Sequence, residues 1–267
     1  TTGNHGASMV AYSARAGIPA VALCSIHSDI IHRAMIAALG GTAIVSERRE
    51  EIVKYLVQQE GWFPATSMAD TDGPNPYGVE GCKTIAYEVY EALHGLPDAL
   101  LVPAASGDLL YGVYKGFREL RELGLTTRIP RMIGCQAVGA APLALALRQQ
   151  MDEVPVLPNP STVAISIGDA TSGKCALQAL RASDGDVVAI SDQDILAAQR
   201  QLAANGLLFE AASCSSVAAL KAAVARGLLR AGEVVVCLVT GSAVKWSTQL
   251  ISQAVGQILL EPSVEAV

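Results

Sequence analysis

The sequence predicts an α/β protein built on open, mostly parallel sheets flanked by helices. Two observations predict it. Strand-sized apolar runs such as VALC (Val21–Cys24) and VVVCLV (Val234–Val239) alternate with helical periodicity through most of the chain, the pattern of βα units around a parallel sheet. The composition agrees: 267 residues, 51% hydrophobic and only 16% charged, with a net charge of −6, describe a mildly acidic chain that can bury a substantial core as one large domain or two modest ones.

In chain order, TTGNHG leads into a helix over Ala7–Ala16, a turn at Gly17-Ile18-Pro19 and a strand Ala20–Cys24. Asn4 is a candidate cap for that helix, and Thr1, Thr2 and Asn4 beside Gly3 and Gly6 also suit a binding loop, because a helix N-terminus favours an anion. A helix Ile30–Leu39 stops at Gly40-Gly41, a C-terminal signal. The strand Thr42–Val45 and a helix Arg49–Gln59 follow. From Phe63 to Gly81 the chain reads FPATSMADTDGPNPYGVEG, a loop that is either a domain junction or a site wall.

The next unit is a helix Cys82–Leu93, a strand Ala99–Val102, the segment PAASGD (Pro103–Asp108) and a helix Leu109–Glu122. Further strands are expected at Arg131–Cys135, Asp186–Ile190 and Val234–Thr240. PAASGD and the TGSA that starts at Thr240 lie at the carboxyl ends of strands, where open parallel sheets bind ligands.

PAASGD lacks both the GxxxxGK[ST] and the GxGxxG pattern, which argues against ATP and NAD. Two readings of it stand: an ordinary tight βα connection, or a small-residue loop that holds one phosphate through backbone N–H groups. Asp108 opposes the second unless its carboxylate points away or is paired. Ser213, Ser215 and Ser216 in EAASCSS read as caps before a helix Val217–Ala225, and Thr240 reads as a strand-end cap or a ligand hydroxyl. Six scattered cysteines and four histidines show no metal spacing, so zinc is not expected and the thiols read as reduced core or pocket residues of a cytoplasmic protein. No basic patch points to nucleic acid, and no apolar run reaches membrane-spanning length.

Five segments in order resemble the threonine synthase branch of the fold-type II pyridoxal-phosphate enzymes. They are TTGNHGASMVAYSARAGIP, NPYGVEGCKTIAYEVYEAL, VPAASGDLLYGVYKGF, SDQDILAAQRQLAANGLLFEAASCSSVAALKAA and VVVCLVTGSAVK. The resemblance implies two α/β domains, a smaller one over 1–77 and a larger one over 78–267, with pyridoxal 5'-phosphate between them. It implies that Asn4 hydrogen-bonds the pyridoxal 3-oxygen and that Thr1, Thr2, Gly3 and His5 receive the substrate carboxylate. Ala105, Ser106, Gly107, Asp108 and Leu109 would wrap the cofactor phosphate, and Thr240 would face the pyridine nitrogen.

The implied activity is a lyase acting on an amino acid by elimination and replacement, foremost the conversion of O-phosphohomoserine to threonine. A threonine or serine dehydratase, or a diaminopropionate-type ammonia-lyase, is the alternative, and a lysine-less binding protein is another. A homodimer is implied as well. The Schiff-base lysine of the family lies upstream of the asparagine loop. Lys54, Lys83, Lys115, Lys174, Lys221 and Lys245 match no such position, so the lysine, any targeting segment and the rest of the N-terminal portion are expected before Thr1. The chain also departs from the family pattern in reading ASGDL in the phosphate loop, in TGSAVKW where TGHGLKD is common, and in lacking the proline of an EPASA-like segment.

Overall fold

A computed structural model describes residues 1, 3–66, 68–69 and 73–254. Along the chain the elements are α1 (Asn4–Ala16), β1 (Val21–Cys24), α2 (Ile30–Ala38), β2 (Thr42–Val45), α3 (Arg49–Glu60), β3 (Met68–Ala69), β4 (Gly73–Pro74), α4 (Pro76–Cys82), α5 (Thr84–Leu93), β5 (Ala99–Pro103) and α6 (Asp108–Glu122). They continue with β6 (Arg131–Ala137), α7 (Pro142–Arg148), α8 (Lys174–Ala182), β7 (Asp186–Ile190), α9 (Asp192–Ala203), α10 (Ala211–Ala225), β8 (Val235–Cys237) and α11 (Ser247–Ala254). Two compact units result, Thr1–Tyr55 with Ser242–Val267, and Leu56–Gly241. The chain thus changes unit after Tyr55 and again after Gly241, and the segment from Ser242 onward groups with the first unit; the resemblance implied domains over 1–77 and 78–267.

In the first unit β1 and β2 pair in parallel, from Val21 opposite Thr42 to Cys24 opposite Val45. Ala7 and Val10 of α1, Ala22 and Cys24 of β1 and Ile36 of α2 form its core. These are apolar residues at helical and strand spacing, so each element buries the face that its period dictates.

The second unit carries a four-stranded parallel sheet in the order β7-β6-β5-β8. Strand β5 is buried along its whole length. Ala99 and Leu101 pack into one core cluster and Leu100 and Val102 into another, which is why the strand reads as an unbroken apolar run: a central parallel strand is covered on both faces. The short strands β3 and β4 pair antiparallel in the same unit.

Three local expectations change. The helix expected at Cys82–Leu93 begins earlier and is divided in two. Asn75 caps α4 by accepting from the N–H groups of Tyr77 and Gly78 at 3.0 and 3.4 Å, and Pro76 stands in its first turn, where a missing N–H costs nothing. The strand expected at Val234–Thr240 keeps only Val235–Cys237 in register with β5. Finally, α10 starts at Ala211, so Ser213, Ser215 and Ser216 lie inside the helix and are buried. Ser215 and Ser216 donate to the carbonyls of Ala212 and Leu238, each at 2.7 Å, which is how hydroxyls are accommodated in a helix interior.

Candidate cofactor site

In the first unit, α1 begins at Asn4 itself and Gly3 occupies its cap position without a side-chain cap. Thr1 takes the capping role that the sequence assigned to Asn4: its Oγ1 accepts from the N–H groups of Gly3 and Gly6 at 3.1 and 3.2 Å. Asn4 Oδ1 instead lies 3.1 Å from His32 Nε2. His32 is fully buried on α2, its ring edge-on to Trp246 with centroids 4.8 Å apart. Burial pushes the imidazole pKa down, the positive Lys245 adds to this and Asp29 opposes it, so the ring is neutral at physiological pH. Gly3 leaves room for that ring, since a Cβ there would sit 2.3 Å from His32 Cγ. His5 is exposed, and Thr2 lies outside the described residues.

Asp29 fastens this region. It caps α2 through Ile31 N–H at 2.9 Å, and accepts from the Ser247 hydroxyl at 2.8 Å and the Thr248 N–H at 2.9 Å. Burial raises its pKa, but these hydrogen bonds favour the carboxylate more strongly and the net shift is downward.

In the second unit, Ala104–Gly107 connects the end of β5 to α6. Gly107 has φ +96° and contributes no side-chain cap. The first N–H groups of a four-turn helix thus have no capping side chain, the arrangement that receives an anion. The loop is braced from behind by residues that the sequence did not single out. Gly173 N–H donates to Ser106 O at 2.7 Å, and the Ser172 hydroxyl donates to Ala105 O. Gln136, fully buried on β6, donates to Ala104 O at 3.4 Å and to Ser172 Oγ at 3.5 Å, while its oxygen accepts from Leu143 N–H and Ala144 N–H at the start of α7.

Asp108 opens α6. Burial pushes its carboxyl up to about 7; the neighbouring Asp169 adds to the rise, and a hydrogen bond with Ser106 opposes it. Asp169 is itself raised, chiefly by loss of hydration, although the Ser106 N–H bonds to it. The carboxylate that looked incompatible with a phosphate is therefore protonated for much of its time near neutral pH. Leu109, the next residue, is half-buried.

Thr240 follows β8, whose neighbour in the sheet is β5, so Thr240 and the small-residue loop leave adjacent parallel strands at the same end. Its Oγ1 is 2.9 Å from Ser213 Oγ, which also accepts from Gly241 N–H at 2.7 Å. Three lysines of this unit do other work: Lys83 and Lys115 both pair with Glu80 and Glu119, and Lys174 pairs with Glu153. Among the described residues no group of three or more His, Cys, Asp or Glu could hold a metal ion, and no helix is long and apolar enough to cross a membrane.

The model of the pyridoxal-phosphate dependent enzyme family matches residues 1–241. The chain belongs to this family. Within the pyridoxal-phosphate dependent enzymes, curated relatives include threonine synthases. That of Methanosarcina acetivorans is 33% identical over 276 residues, covering 100% of this chain and 67% of the relative. That of Methanocaldococcus jannaschii is 32% identical over 254 residues, covering 92% of this chain and 61% of the relative. The chain thus spans about two thirds of the length of these relatives.

Solved structures share the fold-type II architecture. Threonine deaminase isoform 2 from Solanum lycopersicum superposes with a TM-score of 0.76 at 20% identity, covering 97% of this chain and 72% of that one. Maize serine racemase does so with a TM-score of 0.74 at 19% identity, covering 97% and 77%.

Proposed function

We propose that the protein is a pyridoxal-phosphate-dependent lyase of the threonine synthase kind, acting on O-phosphohomoserine. The observation that carries this reading is the run of curated threonine synthases matched at about one third identity along essentially the whole chain.

The residues present fit the cofactor. The uncapped α6 N-terminus at Gly107 suits a phosphate, with Ala105, Ser106, Asp108 and Leu109 around it. A protonated Asp108 adds a donor to such a phosphate without adding charge. The Ser213–Thr240 pair presents a neutral hydroxyl for the ring nitrogen, and Asn4 presents its amide for the 3-oxygen. Thr1, Thr2, Gly3 and His5 are assigned to the substrate carboxylate, to which the N-terminal end of α1 adds a favourable dipole. When bound, pyridoxal phosphate supplies an electron sink for charge developing at the substrate α-carbon. The protein's share is orientation: a neutral hydroxyl at the ring nitrogen donates no proton outright, and a neutral amide at the 3-oxygen holds the ring without changing its charge. In the same reading the protein is a cytoplasmic homodimer.

Incubating the full protein with pyridoxal phosphate and, separately, O-phosphohomoserine, threonine, serine and diaminopropionate tests the proposal. Threonine and inorganic phosphate from O-phosphohomoserine alone are expected. Ammonia and a 2-keto acid from threonine, serine or diaminopropionate, with no threonine from O-phosphohomoserine, would replace it with an ammonia-lyase.

A further inference from the structure

We propose that His32 is a positioning residue for Asn4: its Nε2–H holds the Asn4 side-chain oxygen, so that the amide nitrogen is presented as a donor in one fixed direction. The inference rests on the reading in which Asn4 addresses the cofactor ring.

The proton assignment follows from the partner. An amide oxygen only accepts, so with Asn4 Oδ1 at 3.1 Å the hydrogen sits on Nε2. In a neutral imidazole Nδ1 then keeps its lone pair, and this buried atom has no hydrogen-bond partner among the described residues. A histidine serving only to fill the core would leave a polar nitrogen unsatisfied for no return, where phenylalanine would pack without that loss. The single bond to Asn4 is what the imidazole supplies in exchange.

The ring is also prevented from turning away. Trp246 meets it edge-on with an interplanar angle of 72°, and Gly3 backs onto it so closely that a Cβ would lie within 2.5 Å of Cγ, Cδ2 and Nδ1. The charged groups that act on it are Lys245 and Asp29, in opposite directions, and burial outweighs both in keeping it neutral. A rigid, neutral donor on one arm of the amide determines which way the other arm points, and such second partners orient a site's first ones.

Two measurements on the full protein decide it. Long-range proton–nitrogen correlation of the His32 ring in cofactor-free protein should report Nε2 protonated and Nδ1 bare at about pH 7 to 8, above the ordinary imidazole pKa of about 6.5. The replacement His32→Phe keeps the ring volume and removes the bond. It should fold, bind pyridoxal phosphate about tenfold more weakly, as expected for one oriented hydrogen bond, and shift the cofactor's visible absorption band; His32→Gln, which restores a donor, should recover most of the affinity. The opposite tautomer overturns the proposal even if His32→Phe fails to fold. So does a folded His32→Phe with unchanged affinity and band, or a His32→Gln no better than His32→Phe. A wild-type protein that shows the expected tautomer and variant effects but makes no threonine supports this inference and overturns only the proposed reaction.

Discussion

Ser213 and Thr240 join their hydroxyls at 2.9 Å, bringing the first turn of α10 to the loop that follows β8. Ser213 is completely buried and also accepts from Gly241 N–H at 2.7 Å. Ser213→Ala therefore strands a buried N–H as well as freeing Thr240. A loss of about 1–3 kcal/mol in urea unfolding is expected, together with weaker pyridoxal-phosphate binding in a fluorescence titration. An unchanged unfolding midpoint would mean that the hydroxyl pair contributes nothing to the fold.

Gly107 and Gly124 both hold positive φ, +96° and +73°, but only Gly107 is crowded: a Cβ there would come within 2.4 Å of Ala176 Cβ, whereas nothing lies within 4 Å of the same atom at Gly124. Gly124→Ala should cost about 1 kcal/mol, the strain alone. Gly107→Ala should cost about 2–4 kcal/mol, because the clash adds to the strain, and should abolish cofactor uptake. Parallel thermal melts and absorbance titrations of the two variants separate these contributions, and equal costs would refute the packing argument.

Asp108 gives a pH dependence of definite sign. Its carboxyl is raised to about 7 in the folded protein, so folding disfavours its ionised form. The penalty is absent below the unfolded pKa near about 4, grows as pH rises to 7, and is complete above it. Asp108→Asn should thus stabilise the protein at pH 8 by on the order of 2 kcal/mol and leave it nearly unchanged at pH 4. Chemical denaturation of both proteins across that range measures the difference, and a variant equally stabilised at both ends would contradict the assignment.

Asp29 behaves in the opposite sense. Its pKa is lowered by its three donors, so its stabilisation is present above the unfolded pKa and disappears as pH falls through the folded one. Asp29→Asn keeps a carbonyl acceptor but loses the charge. It should be about 1–2 kcal/mol less stable at pH 7, with the two proteins converging at pH values below about 4. Denaturation midpoints measured at several pH values would show this convergence.

Strands Thr42–Val45 and Asp186–Ile190 stand where the sequence placed them, residue for residue, and β5 differs by one residue. Their apolar runs are local and strand-sized, and flanking Gly, Pro and Asp residues end them. The Asn75-Pro76 start of α4 is equally legible as a cap followed by a first-turn proline, although the Gly, Pro, Asp and Asn residues around it read as loop. By contrast, no local pattern marks Gln136, Ser172 or Asp169 as neighbours of the small-residue loop, because they lie 28 or more positions beyond Asp108 and meet it only through the sheet order and the segment before α8. Ser213 looked like a cap for the same reason: nothing within its own helix shows that its partner is Thr240.

The α/β class, the alternation of elements and the segments whose order marks the family are legible without coordinates, because periodicity, turn chemistry and motif order are properties of residues close together in the chain. Tertiary structure alone decided that Asn4 is held by His32 and that burial raises the Asp108 carboxyl to about 7. Each of these depends on which distant groups share one hydrogen bond or are excluded together from water, and TTGNHG cannot express that until α2 and Trp246 are packed around it.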